Sequence, residues 1–174
     1  MSILAMLAFA SALQQPTTAR ERALQVRRAA FDTSRSAIAV VAKGVADVRS
    51  ALDVYRRAVF NSTDAEVLSM GDYLRRACRG LDSTATVAVR KVCRHCAFQP
   101  NVQTAFDGYR VGLPAVSRTA AGCAARLSRL ARGSAPAKGM RRDVRVIGNP
   151  IVQTLQGYER RLHVVLVALN AAPG

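Results

Sequence analysis

The sequence predicts an all-α fold, an up-and-down bundle of four to five helices built on one long N-terminal, heptad-patterned helix. From Ala19 to Phe60 large apolar residues return at every seventh position: Leu24, Phe31, Ile38, Val45, Leu52 and Val59. A second column, three residues further on, holds Arg27, Ser34, Val41, Val48 and Tyr55, so the stretch carries the 3-4 spacing of a helix seam. Shorter stripes of the same spacing recur between turn signals along the rest of the chain. The composition agrees: 50% of residues are hydrophobic but only 5% aromatic, with no Trp, which suits closely spaced helices better than an aromatic-rich pocket. At 174 residues the chain is long enough for one domain with a proper core.

The long helix has no proline and a single glycine, Gly44. Unbroken, it would measure about 60 Å at 1.5 Å per residue. The residues just before the large apolar ones are all small: Ala23, Ala30, Ala37, Gly44, Ala51 and Ala58. A column without bulk lets another helix backbone come close. The opposite flank carries Arg28, Arg35, Arg49 and Arg56, with Ala42 as the exception. This ridge is read as facing a polyanion or an acidic partner; the plainer alternative is a solvated flank whose stems cover the edge of the seam.

Ahead of this helix, Met1–Leu13 is apolar and Pro16 closes it, so the chain divides into an N-terminal arm or signal-like segment, 1–16, and a single bundle domain, 17–174. Ala10-Ser11-Ala12 fits a small-x-small cleavage pattern, yet no Lys or Arg precedes Arg20. The run is too short to span a bilayer. The favoured reading is an arm packed on its own bundle or on a neighbouring subunit. A cleaved signal peptide is the alternative, and membrane contact through residues 1–13 is not favoured.

Thr17 or Thr18 caps the long helix, and Asn61-Ser62 ends it. Thr63 and Glu66 have capping-box spacing and open a second helix with the stripe Val67, Met70, Leu74 and Cys78, stopped at Gly80. Asp82 or Ser83 caps a third, with Ala85, Val89, Val92 and Cys96 on one face, ended near Phe98 by Pro100. The interval Gln99–Pro114 reads as irregular: a short helical turn at Val102–Phe106, a turn at Asp107-Gly108 and a brief extended piece at Tyr109–Val111. Pro114 starts a fourth helix marked by Leu113, Val116, Ala120, Cys123, Leu127 and Leu130. Gly133–Gly139 is a loop by composition, and Met140–Ile147 a short strand or extended arm. Asn149-Pro150 is an N-cap followed by Pro at the first helical position, opening a last helix with Ile151, Leu155, Tyr158, Leu162, Val165 and Leu169.

Charge sets the functional expectation. The net charge is +15 and the pI about 11.2. Only Lys43, Lys91 and Lys138 among the cations are lysines. Arginine favours planar, bidentate contact with phosphate or carboxylate, and so large a charge attracts nucleic acid or an anionic surface at low salt. Aromatic residues for base stacking are few, so binding would be directed at the backbone. The expected protein is a non-enzymatic structural or assembly subunit. It would bind nucleic acid, RNA in the first place, or another polyanion, and self-associate. Arg141, Arg142 and Arg145 are the best local anion site, next to the helix start at Asn149-Pro150; the ridge of Arg28, Arg35, Arg49 and Arg56 is the second.

His95 and His163 are the only histidines, and the acids are scattered. No nucleophile–His–acid set, phosphate loop or HExxH pattern can be assembled, so no catalytic residue, cofactor or metal is expected. Cys78, Cys93, Cys96 and Cys123 include one CxxC, Cys93-Arg94-His95-Cys96. Free core thiols on the seams are preferred, then one or two disulfides, then metal or redox chemistry. An intracellular site or a nucleoprotein particle is favoured. An exported, disulfide-stabilised bundle binding a protein partner or an envelope surface is the alternative.

From Thr63 onward the expected order is two helices, a loop ending in Tyr109–Pro114, a third helix, an arginine-rich piece and a last helix. This order is similar to that of the coat proteins of rod-shaped plant RNA viruses of the tobacco mosaic type. The resemblance implies an RNA-contacting role for arginines after the third helix, the place taken here by Arg141 and Arg142. It implies a further basic position in the second helix, taken by Arg90. Trp is absent, Glu159 is the one acid of the last helix, and the residues before Thr63 have no counterpart.

Overall fold

The structure, a computed structural model, describes residues 18–171. The expectations for Met1–Leu13 and for Thr17 as a cap lie outside those residues. Five helices and no strand are found among the described residues: α1 Ala19–Ala58, α2 Asp64–Lys91, α3 Pro100–Ala131, α4 Pro136–Arg142 and α5 Val144–Ala171. The four long helices alternate in direction. α2 lies between α1 and α3, and α3 between α2 and α5; α1 and α5 meet along a shorter stretch, and the short α4, about two turns long, packs on α2 and α3. This is the all-α up-and-down bundle that the seam spacing implies.

α1 is opened by a complete capping box, in which the Thr18 hydroxyl accepts from the Glu21 N–H and the Glu21 carboxylate accepts from the Thr18 N–H. Its seam buries Ile38, Val41, Val45, Val48, Leu52 and Tyr55. The small column also packs: Ala37 and Ala51 are buried, and a Cβ on Gly44 would stand 3.3 Å from the Leu81 side chain of α2. The first turns of α1 have no such support. Every residue from Ala19 to Ala29 is exposed, Leu24 and Val26 included, because the neighbouring helices begin or end at the level of Phe31.

Several expected boundaries do not exist. Gly80 does not stop a helix; α2 runs through it, and no glycine in the described residues has a positive φ. The reason is the stripe Val67, Leu74, Cys78, Leu81, Ala85 and Ala88, which stays in phase across the glycine. Asp82 and Ser83 are therefore interior, Ala88 rather than Val89 faces the core, and α2 ends at Lys91 rather than near Phe98. Pro100 opens α3 instead of closing its predecessor. The interval expected to be irregular is helical throughout, since Val102, Ala105, Phe106, Tyr109, Leu113 and Val116 form one buried stripe. Pro114 sits inside α3 with its ring exposed.

The expected strand or arm at Met140–Ile147 is helical. α4 carries Met140, and α5 starts at Val144, so Pro150 is interior and Asn149 is no cap. Val144, Ile147 and Ile151 extend the α5 stripe backwards past the proline. In each case burial of a continuous stripe outweighs one lost hydrogen bond or the flexibility of one glycine.

Two glycines test this architecture in opposite directions. A Cβ at Gly80 meets nothing within 4 Å, so Gly80→Ala is expected to stabilise by about 1 kcal/mol through helix propensity. A Cβ at Gly112 would lie 2.9 Å from the Tyr158 ring and 3.2 Å from Arg161 Cδ, so Gly112→Ala is expected to destabilise by about 1–3 kcal/mol. Urea unfolding midpoints check both; a loss of stability in Gly80→Ala would mean that α2 breaks there.

Candidate polyanion-binding end of the bundle

The C-terminus of α1, the N-terminus of α2, the C-terminus of α3, all of α4 and the N-terminus of α5 meet at one end of the bundle. Tyr55 ties them together. Its buried hydroxyl donates to the Met140 carbonyl at 2.7 Å, and burial pushes the phenol pKa up. Met140 is itself buried against Gly71, where a Cβ would stand 2.6 Å from its sulfur.

Arg141, next along, is a structural residue. Its Nε donates to the Val59 carbonyl at 3.1 Å and its Nη2 to the Ser62 carbonyl at 2.7 Å, while its Nη1 binds the Asp64 carboxylate at 2.6 Å. One guanidinium thus closes the α1–α2 turn.

Asp143, buried between α4 and α5, does the same on the other side. It accepts from Arg126 of α3 at 3.2 and 2.6 Å and from Arg142 Nε at 3.0 Å. The hydrogen bonds from Arg126, then those from Arg142, hold its carboxyl below the ordinary aspartate value.

The predicted cluster therefore divides. Arg141 and Arg142 are engaged by partners of the protein itself, Arg141 half-buried and Arg142 exposed, whereas Arg145 is exposed and has no partner among the described residues. Around it the same end carries Arg56, Arg57, Arg129, Arg132 and Lys138, all exposed and none in an ion pair among the described residues. Three acids of this end are occupied, Asp64 by Arg141, Asp143 by Arg126 and Arg142, and Glu66 by the capping box with Thr63, while Asp53, one turn before Arg57, is exposed and in no ion pair among the described residues.

The α1 ridge is not one surface. Arg56 belongs to this end, and Arg49 pairs with Glu159 of α5. Arg28 and Arg35 are exposed towards the far end, where Arg90 closes α2. Arg28 and Arg56 are about 40 Å apart along the helix at 1.5 Å per residue. Sequence reading missed Arg57, Arg129, Arg132 and Lys138; their signal was proximity to helix ends that a short turn brings together.

The four cysteines are paired rather than left as free core thiols. Cys78 of α2 and Cys123 of α3 form one disulfide and Cys93–Cys96 the other, with Cα–Cα distances of 6.3 and 5.8 Å. Among the described residues, no group of three or more His, Cys, Asp and Glu side chains is arranged to hold a metal ion, and no helix is long and apolar enough to cross a membrane.

Arg141→Ala removes three bonds and leaves the Val59 and Ser62 carbonyls without this donor, so a loss of about 2–4 kcal/mol is expected. Arg145→Ala, at an exposed and unpaired side chain, is expected to change stability by less than about 0.5 kcal/mol. Chemical denaturation of the two variants separates the structural arginine from the free one.

The order of elements does not match the one on which the likeness to rod-shaped virus coat proteins rested. The two helices expected between Thr63 and Phe98 are the single α2, and the loop ending at Pro114 is part of α3. Comparison with protein-family models, with curated proteins and with solved structures finds no match for the chain.

Proposed function

We propose that this protein is a non-enzymatic helical subunit that binds nucleic acid, RNA in the first place, through the phosphate backbone at the basic end of its bundle. The observation that carries the reading is the group of exposed cations at that end, none in an ion pair among the described residues: Arg56, Arg57, Arg129, Arg132, Lys138 and Arg145. α4 and the engaged side chains of Arg126, Arg141 and Arg142 fix the backbone beneath them, so the cations stand on a rigid base. Such a surface recognises charge and spacing, not base edges. Arg28, Arg35 and Arg90 at the far end would extend contact along a longer strand or to a second copy.

The paired cysteines favour a second reading. Disulfides persist in oxidising compartments, and two of them in this chain suit an exported bundle that presents the same cations to a protein partner or an envelope surface.

Binding to single-stranded RNA of unrelated sequences, measured against salt, tests the first reading. The logarithm of the affinity is expected to fall linearly with log salt, with a slope of about 0.7 for each phosphate engaged on single strands. Arg56→Gln, Arg57→Gln and Arg145→Gln together should flatten that slope equally for every sequence. Binding that ignores salt, or survives the triple change intact, would remove the proposal.

The second reading is decided on protein from its native source by intact mass with and without a thiol-alkylating reagent. No alkyl uptake together with loss of about a dozen N-terminal residues is its expected result, and full-length chain alkylated at every cysteine is the opposite one.

A further inference from the structure

The loop Val92–Gln99 between α2 and α3 is held from outside by side chains of α1. Ser34, fully buried, has its hydroxyl oxygen 3.0 Å from the Cys93 N–H, whose bond it accepts. The same hydroxyl lies 2.8 Å from the Ala30 carbonyl, 3.2 Å from the Lys91 carbonyl and 3.8 Å from Cys96 Sγ. Arg27 donates from Nε to the Cys96 carbonyl at 3.2 Å and from Nη2 to the Ala97 carbonyl, and it lies 4.6 Å over the Phe98 ring. Gln103 of α3 accepts from the Ala97 N–H. These contacts converge on one disulfide, Cys93–Cys96, and its two sulfurs belong to unequal residues: Cys93 is half-buried and Cys96 is 3% exposed. The other disulfide is enclosed between α2 and α3, with Cys78 and Cys123 both buried.

We propose that Cys93–Cys96 is a site of thiol–disulfide exchange with an external dithiol, and that Cys78–Cys123 is purely structural. A thiolate of the incoming dithiol attacks Cys93 Sγ, the sulfur of the more exposed residue. The new bond joins that sulfur to Cys93, the Cys93–Cys96 bond breaks, and its electron pair leaves on Cys96 Sγ.

The departing thiolate forms where Ser34 can turn its hydroxyl hydrogen towards it and where the Arg27 guanidinium already holds the Cys96 carbonyl. A hydrogen-bond donor and a nearby cation are what lower the cost of a thiolate. The second thiol of the dithiol then attacks its own partner sulfur in the mixed disulfide and displaces Cys93. The dithiol ends as its disulfide, and Cys93 and Cys96 as two thiols carrying the two protons of the donor. Ser34 and Arg27 act as positioning residues.

The experiment uses the oxidised full-length chain, without denaturant, equilibrated in dithiothreitol redox buffers of rising reducing strength, acid-quenched, alkylated and mapped by peptide mass. Cys93 and Cys96 are expected to take up label at ratios where Cys78 and Cys123 remain paired and the helical circular dichroism is unchanged. In a separate time course at one reducing ratio, quenched and mapped in the same way, Ser34→Ala should slow the opening by about tenfold, the lower end of the value of one hydrogen bond to a charged group. Cys96→Ser, incubated with oxidised glutathione, should carry glutathione on Cys93, while Cys93→Ser should leave Cys96 largely unmodified. The proposal falls if both disulfides open together, if Cys93–Cys96 opens only as helicity is lost, or if Cys96 is the sulfur that forms the mixed disulfide.

Discussion

The basic end of this bundle depends on the fork of hydrogen bonds that Arg141 makes across the α1–α2 turn. Helix C-termini leave carbonyl oxygens without partners, and where two helices join through a short turn those oxygens crowd together. Arg141 meets two carbonyls of that turn, those of Val59 and Ser62, and a carboxylate with one planar group. Its neighbour Met140 accepts the Tyr55 hydroxyl from beneath, and two residues on Asp143 draws in Arg126 and Arg142. A short helix with no side-chain cap of its own is thereby fixed between three long ones. The unpaired cations around it inherit that rigidity, which lowers the ordering cost of any contact they make.

Much of the fold was legible because a 3-4 apolar stripe states both that a helix exists and which face it buries. α1 shows this best: the seam residues from Ile38 to Tyr55 and the small column at Ala37, Gly44 and Ala51 all pack as their spacing requires. Boundaries were less legible, for one physical reason. Gly80, Pro114 and Pro150 are local signals of about 1–3 kcal/mol, whereas the stripes that run through them bury several large side chains each at about 1.5–3 kcal/mol. Local punctuation decides a boundary only where the stripe itself stops, as it does between Val92 and Pro100.

The candidate site was legible in charge and not in geometry. A run such as Arg141-Arg142-Asp143-Val144-Arg145 does not say which arginine faces a carbonyl and which faces water; that depends on Val59 and Ser62, some eighty residues away in the chain. The cysteines teach the same lesson. Spacing put Cys78, Cys96 and Cys123 at buried positions correctly, but the antiparallel register of α2 on α3, which sets Cys78 opposite Cys123, is a property of two helices together.

The exposed first turns of α1 stand outside this cooperative body. Between Ala19 and Val26 the helix projects about 12 Å at 1.5 Å per residue, and none of the other helices described covers it. Its order rests on the Thr18–Glu21 capping box at one end and the Arg27 anchor at the other. An isolated helix of two turns is marginal in water, so the order of this overhang depends on those local anchors and not on the core stripe. The bundle thus extends past its own core as a basic overhang, on which Leu24 and Val26 stand exposed beside Arg20 and Arg22.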